Sequence, residues 1–171
     1  MPVTINGSGL ASGVTSVPNL QSFPIGPRLD GANMPVGSVL QVVNATYATQ
    51  VSVNSGTATT GLTTSITPKF ATSKILVLVS QNFYLAFSGG ANLYGYFSLQ
   101  RNSTAIYTGQ TAELQLNNAI QYGGRWCVNI SDSPATTSST SYTVYYTEQS
   151  GNATFQNGGT TSFITLMEVA A

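Results

Sequence analysis

The stretch Ser73 to Phe87, SKILVLVSQNFYLAF, decides the fold. Its first half, Ile75-Leu76-Val77-Leu78-Val79, is continuously apolar, and Gln81 and Asn82 then break the run before Phe83, Leu85 and Phe87. Such a pattern predicts a strand buried on both faces that later exposes one. A helix is the competing reading. The β-branched residues, the flanking Ser and Thr, and the stop at Gly89-Gly90 favour a strand, and five apolar residues are far too few to cross a membrane. Residues Ile75 to Val79 are therefore expected to be almost wholly buried within one subunit. Phe83, Leu85 and Phe87 are the candidates for a subunit interface, with Tyr145 beside them.

The strands continue on both sides of this spine. Upstream, Gly37 to Tyr47 alternates, Gln50 to Asn54 is a second short run, Gly56 to Gly61 reads as a loop, and Leu62 to Thr67 ends at Pro68. Downstream, Leu93 to Gln100 and Thr104 to Thr108 flank Arg101-Asn102-Ser103, a hairpin signal in which Asn can take positive φ. Glu113 to Leu116 alternates, and Arg125 to Ile130 places Trp126, Val128 and Ile130 on one face. Tyr142 to Thr147, Ala153 to Gln156 and Ser162 to Val169 complete the set, with Gly158-Gly159 turning the chain into the last. Roughly eight to ten short strands with no helical period predict an all-β protein, an antiparallel β-sandwich of jelly-roll type. In that sandwich Tyr145 and Tyr146, being adjacent, must point to opposite faces.

Residues 1 to 35 differ from the rest. Gly and Pro punctuate them every few positions, which precludes long regular elements, yet Val3, Ile5, Leu10, Val14, Val17, Leu20, Phe23 and Ile25 recur throughout. Disordered segments are usually poor in apolar residues. The pattern predicts an extended arm whose apolar pegs anchor it on a partner, followed by a head domain from 36 to 171.

Composition narrows the function. Only 6% of the 171 residues are charged, against about 25% in an ordinary domain, while 42% are hydrophobic. The surface must be built from hydroxyls and amides, which gives little colloidal repulsion and suits a protein that lives in an assembly. Five basic residues are scattered singly among five acids, so no stripe exists to neutralise a run of phosphates. Nucleic acid is not an expected partner, and neither is a membrane interior. The chain opens without a basic region followed by an apolar one, so no usual secretory signal is expected. The absence of histidine removes the commonest general base and most transition-metal sites. Asp30, Glu113, Asp132, Glu148 and Glu168 lie far apart and read as solvated or hydrogen-bonded carboxylates. No catalytic residue, cofactor or metal is expected. Lys74 and Arg125 read as strand-end charges with stems on apolar surface, and the single Cys127, set in Trp-Cys-Val, as a small buried hydrophobe. The tyrosines, with Trp126, are the one group that could stack on sugar rings, though most read as core.

Three segments carry a resemblance: Val3-Thr4-Ile5-Asn6-Gly7-Ser8-Gly9, then Met34 to Val43 (MPVGSVLQVV), and Leu62 to Pro68 (LTTSITP) leading into Ser73 to Val79. Together they resemble tail-fibre and related virion proteins of tailed bacteriophages; the likeness spans the arm and the first half of the head. That resemblance implies a homotrimeric protein on the virion exterior, held to other virion proteins by its N-terminus and displaying a β domain to a host-surface glycan or protein. A capsid decoration (cement) protein is the alternative within the same class, favoured by the lack of shaft repeats. A carbohydrate-binding module or glycan-active enzyme is the reading from a different class.

Overall fold

The computed structural model describes residues 4–5, 11–12, 34–86, 93–110, 113–116 and 121–171. The chain divides into two units, Met1–Asp30 and Gly31–Ala171. In the first, β1 (Thr4–Ile5) pairs antiparallel with β2 (Ala11–Ser12). Of the proposed anchoring residues only Ile5 falls on described backbone; Val3, Leu10, Val14, Val17, Leu20, Phe23 and Ile25 lie outside the described residues, as does Phe87.

The second unit is a sandwich of antiparallel strands. Its members are β3 (Val39–Tyr47), β4 (Val51–Val53), β5 (Gly56–Ile66), β6 (Lys74–Ala86), β7 (Leu93–Arg101), β8 (Thr104–Thr108), β9 (Leu114–Leu116), β10 (Tyr122–Asp132), β11 (Thr140–Ser150), β12 (Asn152–Phe155) and β13 (Ser162–Val169). In one sheet β6 pairs with β10 along one edge and with β13 and β12 along the other; β3 extends β13 and β4 extends β12. The second sheet runs β5-β11-β7-β8, with β9 on β7. Counting only the eight principal strands, the orders are 1-8-3-6 and 2-7-4-5. Such interleaving of first-half and second-half strands is the jelly roll that the strand spacing predicts.

The spine is the centre of the first sheet, but its pattern is simpler than expected. Burial alternates from end to end: Ile75, Val77, Val79, Gln81, Phe83 and Leu85 face the interior, while Leu76, Leu78, Ser80, Asn82, Tyr84 and Ala86 are half-buried on the outside. The apolar run is thus not buried on both faces; Leu76 and Leu78 lie on an outer surface. Phe83 and Leu85, expected at a subunit interface, are 3% and 1% exposed and belong to the core of a single chain. They keep the inward parity of Ile75 because no bulge interrupts the pairing of β6 with β10.

Two sequence features misled. Gly56 to Gly61, read as a loop, is the first half of β5, and Gly61 (φ +85°) sits where the register with β11 shifts. A Cβ there would collide with the Tyr47 ring, so glycine lets β3 and β5 approach. Cys127, expected to be buried, is exposed on the outside of β10, because inward Trp126 sets the alternation. The hairpin expectation holds: Asn102 has φ 52°, and its side-chain oxygen accepts from Ser141 N (3.0 Å).

An aromatic cluster fills the interior. Phe97 stacks on Trp126 (4.6 Å between centroids) and meets Tyr146 (5.1 Å) and Phe155 (5.7 Å) edge-on. Each fully buried side chain of this kind contributes on the order of 1.5–3 kcal/mol. A polar knot crosses the same interior. Thr60 Oγ1 donates to Gln81 Oε1 (2.8 Å), and Gln81 Nε2 to Ser162 Oγ (3.0 Å). With the Gln156 amide oxygen facing Ser162 and Gln81, its nitrogen donates to Thr60 O (3.2 Å) and Phe155 O (3.1 Å). All four residues are fully buried, and the mutual satisfaction of their groups is what makes this burial tolerable.

Candidate functional site

Both sheets turn one face to the core and one outward, and the outward faces differ in chemistry. On the first sheet the cross-strand rows read Val42–Met167–Leu76–Ser131, then Asn44–Thr165–Leu78–Asn129, then Thr46–Phe163–Ser80–Cys127. Val39, Val42 and Phe163 are 45%, 49% and 44% exposed, three of the large hydrophobic side chains most open to water. Arg125 covers one end, its guanidinium 5.5 Å above the Phe163 ring and donating to Ser80 Oγ (3.2 Å) and Thr161 O (3.0 Å). Its guanidinium lies on apolar surface, but Arg125 sits within β10 and not at a strand end as expected. Lys74 lies at the other end, opposite Val169.

The outward face of the second sheet is hydroxylated. Thr57 and Thr147 bond at 2.8 Å and Thr63 and Thr143 at 2.7 Å, forming ladders across β5 and β11. Half-buried Tyr96 lies opposite Thr147 and half-buried Tyr145 opposite Ser98, so the two rings are diagonal neighbours on this face. Tyr146, one residue on, is fully buried. Of the aromatic residues that could have made a binding surface, Trp126, Tyr142 and Tyr146 are therefore core.

The ionisable groups are tethers. Glu168 is wholly buried and accepts from Lys69 N (2.7 Å), Phe70 N (3.3 Å) and Gln41 Nε2, fixing the turn after β5. Asp132 accepts from Arg101 (2.7 Å) and from Tyr142 Oη (2.7 Å). Burial, and then the Asp132 bond, push the Tyr142 phenol far above its usual range, so it stays a donor. Glu113 accepts from Trp126 Nε1 (3.1 Å), Tyr107 Oη (3.1 Å) and Phe97 N (3.2 Å), tying the segment before β9 to the core. The Tyr107 phenol is raised by burial and by that carboxylate.

Glu148 departs from the expectation of a solvated or bonded carboxylate. It is 5% exposed; one oxygen accepts from Ser150 N (2.9 Å), while Oε2 and the nearby Tyr146 Oη are buried without a partner among the described residues. Desolvation pushes its carboxyl up to about 7. A raised carboxyl and a second carboxylate, Glu113, at one end of a sandwich have the makings of an acid pair. Here both point into a packed interior, and Glu113 is already engaged by three donors.

No protein-family model matches this chain, and no curated protein does. Among solved structures, the VP2 subviral particle of infectious bursal disease virus is similar with a TM-score of 0.44 and 15% identity, over 76% of this chain and 32% of that one. The Gx strain of the same virus gives 0.42 and 14%, over 76% and 32%. Dimeric latent PorU from Porphyromonas gingivalis gives 0.35 and 11%, over 79% and 11%. The chain thus spans about a third or less of the length of these proteins. At such scores and identities the likeness transfers neither function nor partner.

Among the described residues no group of three or more His, Cys, Asp or Glu side chains could hold a metal ion, and no helix is long and apolar enough to cross a membrane. A cleft of about 280 Å³ opens between Met34, Val36, Phe70, Ser73 and Ala170, at the opposite end of β6 from Phe83 and Leu85. The apolar outer face is what the sequence reading missed. Its signal was present in Leu76 and Leu78, which extend the apolar run at outward parity, and in Val42, Phe163 and Met167 on neighbouring strands.

Proposed function

We propose that this chain is a non-enzymatic structural protein of a tailed-phage virion, anchored through its N-terminal arm and displaying its sandwich as a trimeric head, in a short tail fibre or host-contacting appendage. The observation that carries the assembly part is the apolar row Val42–Met167–Leu76 on the outer face, with charges, among the described residues, only at its two ends, Arg125 and Lys74. Water-facing sheets usually alternate apolar inside with polar outside, and a patch of this kind marks an interaction surface. Phe83 and Leu85 are buried and cannot supply the contact, and we assign it to this face. The use of Asp132, Glu113 and Glu168 as internal tethers supports a passive role. The fold class is common to viral capsid proteins, lectins and cupins, so the jelly roll alone favours none of them. The virion assignment rests on the resemblance of the arm and first strands.

Deleting residues 1 to 35 is expected to leave a folded, soluble oligomer that no longer joins particles; a truncated chain that is still incorporated would overturn the anchoring role. A capsid decoration protein is the second reading, favoured by the outward apolar row Val42–Met167–Leu76, which suits lateral contact with a lattice. Placement along the tail or on the capsid wall separates the two.

A further inference from the structure

Glu148 occupies an unusual position in the second sheet. Its cross-strand partners are Gly56 on β5 and Gly95 on β7, so neither neighbour has a side chain to bond the carboxyl. Gly95 is itself required, because a Cβ there would strike Tyr146 Oη and Thr147 O. The pairing of β11 with β7 shifts register between Glu148 and Ser150, and the bond from Ser150 N to Glu148 Oε1 spans that irregularity. Glu148 therefore both spans the irregular end of the strand pair and leaves one oxygen buried without a partner among the described residues.

No cation faces it among the described residues. Arg101 is paired with Asp132, Lys69 donates to Leu40 O (2.9 Å), Lys74 starts β6 at the other end of the sandwich, and Arg125 lies on the outer face of the first sheet, over Phe163. The titratable groups around it are Tyr146 on its own strand, Glu113 before β9 and, through Glu113, Tyr107 on β8. The paired positions of β5 and β7 are glycines, and β4 (VSV) brings no titratable group. The Tyr146 phenol is raised well above its usual range by burial first and then by Glu148 and Glu113, so it remains neutral. An ionised Glu148 would have no counter-ion among the described residues, and its burial is what disfavours the charge.

We propose that Glu148 is a proton-operated latch: neutral, it holds the end of the sandwich made by β7, β9 and β11 closed, and its ionisation loosens that end. The step is the loss of one proton to solvent, with no other bond made or broken. Because burial raises the carboxyl from 4.5 to about 7, the closing contribution is complete below about 4.5 and is lost as pH rises through about 7. The latch is independent of the virion reading.

Hydrogen exchange on the full chain, corrected for intrinsic rates, tests it. Protection of the amides of Gly95 to Phe97 and Tyr146 to Glu148 is expected to fall roughly tenfold or more between about pH 5.5 and 8.5. Glu148→Gln, neutral and of the same shape, is expected to abolish that step. Protection that does not change with pH, or a step that persists in E148Q, would overturn the latch. If E148Q does not fold, carbon NMR of the Glu148 carboxyl in the native chain decides: a midpoint near 7 supports the latch, and one near 4.5 overturns it.

Discussion

The two outer faces of the sandwich are made from the same kind of strand yet differ in the side chains they present. On the β5-β11-β7-β8 sheet the outward positions are threonines that bond one another across strands, with Tyr96 and Tyr145 among them. On the β3-β13-β6-β10 sheet they include Val42, Leu76, Leu78, Phe163 and Met167. Both carry few charges, so charge does not distinguish them; the Val42–Met167–Leu76 row does, since it offers no hydrogen-bonding side chain beside the Asn44–Thr165 pair (2.8 Å) of the next row. A hydroxyl ladder is satisfied by water and by itself. A valine–methionine–leucine row gains only by being covered, at about 25 cal/mol per Å² removed from water.

The strongest way to break the comparison is to charge each face in turn. Val42→Lys combined with Met167→Lys is expected to abolish self-association, read as a change from oligomer to monomer by light scattering. Thr63→Lys combined with Thr143→Lys, on the hydroxyl face, should leave the oligomer intact. Loss of assembly in both variants, or in neither, would remove the distinction between the faces.

Next in size is a contrast between neighbours in the same sheet. Leu166 is fully buried in the core, and Leu166→Ala is expected to cost about 2–5 kcal/mol in denaturant unfolding of the monomeric variant. Leu76→Ala, on the outer face, should cost less than half as much in the monomer and regain its cost in the oligomer. Equal losses in the monomer would mean that the outer face is already covered within one chain.

Cys127 gives a smaller, local readout. Its exposed thiol, in the row with Phe163 and Ser80, should alkylate freely in the charged-face monomer and more slowly in the assembled protein. Equal rates would place the contact away from this side of β10. Smallest is the salt effect: with so few charges on the apolar face, raising salt from about 0.05 to 0.5 M should shift the association constant by less than about threefold. A strong decrease with salt would point to ion pairs instead.

Much of the fold was legible because the strand signals were local. Ser162 to Val169, Leu93 to Gln100 and the Asn102 turn are where alternation and turn chemistry predict them. Gly56 to Gly61 was not legible as strand: Gly-Thr-Ala-Thr-Thr-Gly has the composition of a loop, and only pairing with β11 and the approach of Tyr47 make it a strand. Phe83 and Leu85 were assigned to an interface, and lie in the core instead, for a related reason. A run such as Ile75 to Val79 does not reveal whether its second face meets another layer of the same chain or another molecule, and an aromatic alternation such as Phe83-Leu85 reads the same in a core as at an interface. The isolation of Glu148 was invisible, because it depends on two glycines, at positions 56 and 95, that only strand register brings beside it.

Electron cryo-microscopy of particles carrying the full chain is the most direct test of the central claim. The account predicts that the face bearing Val42, Leu76 and Met167 is packed against a neighbouring subunit, with the threonine ladders of β5 and β11 turned to solvent. An apolar face open to solvent, with contacts made through the threonine ladders, would contradict it.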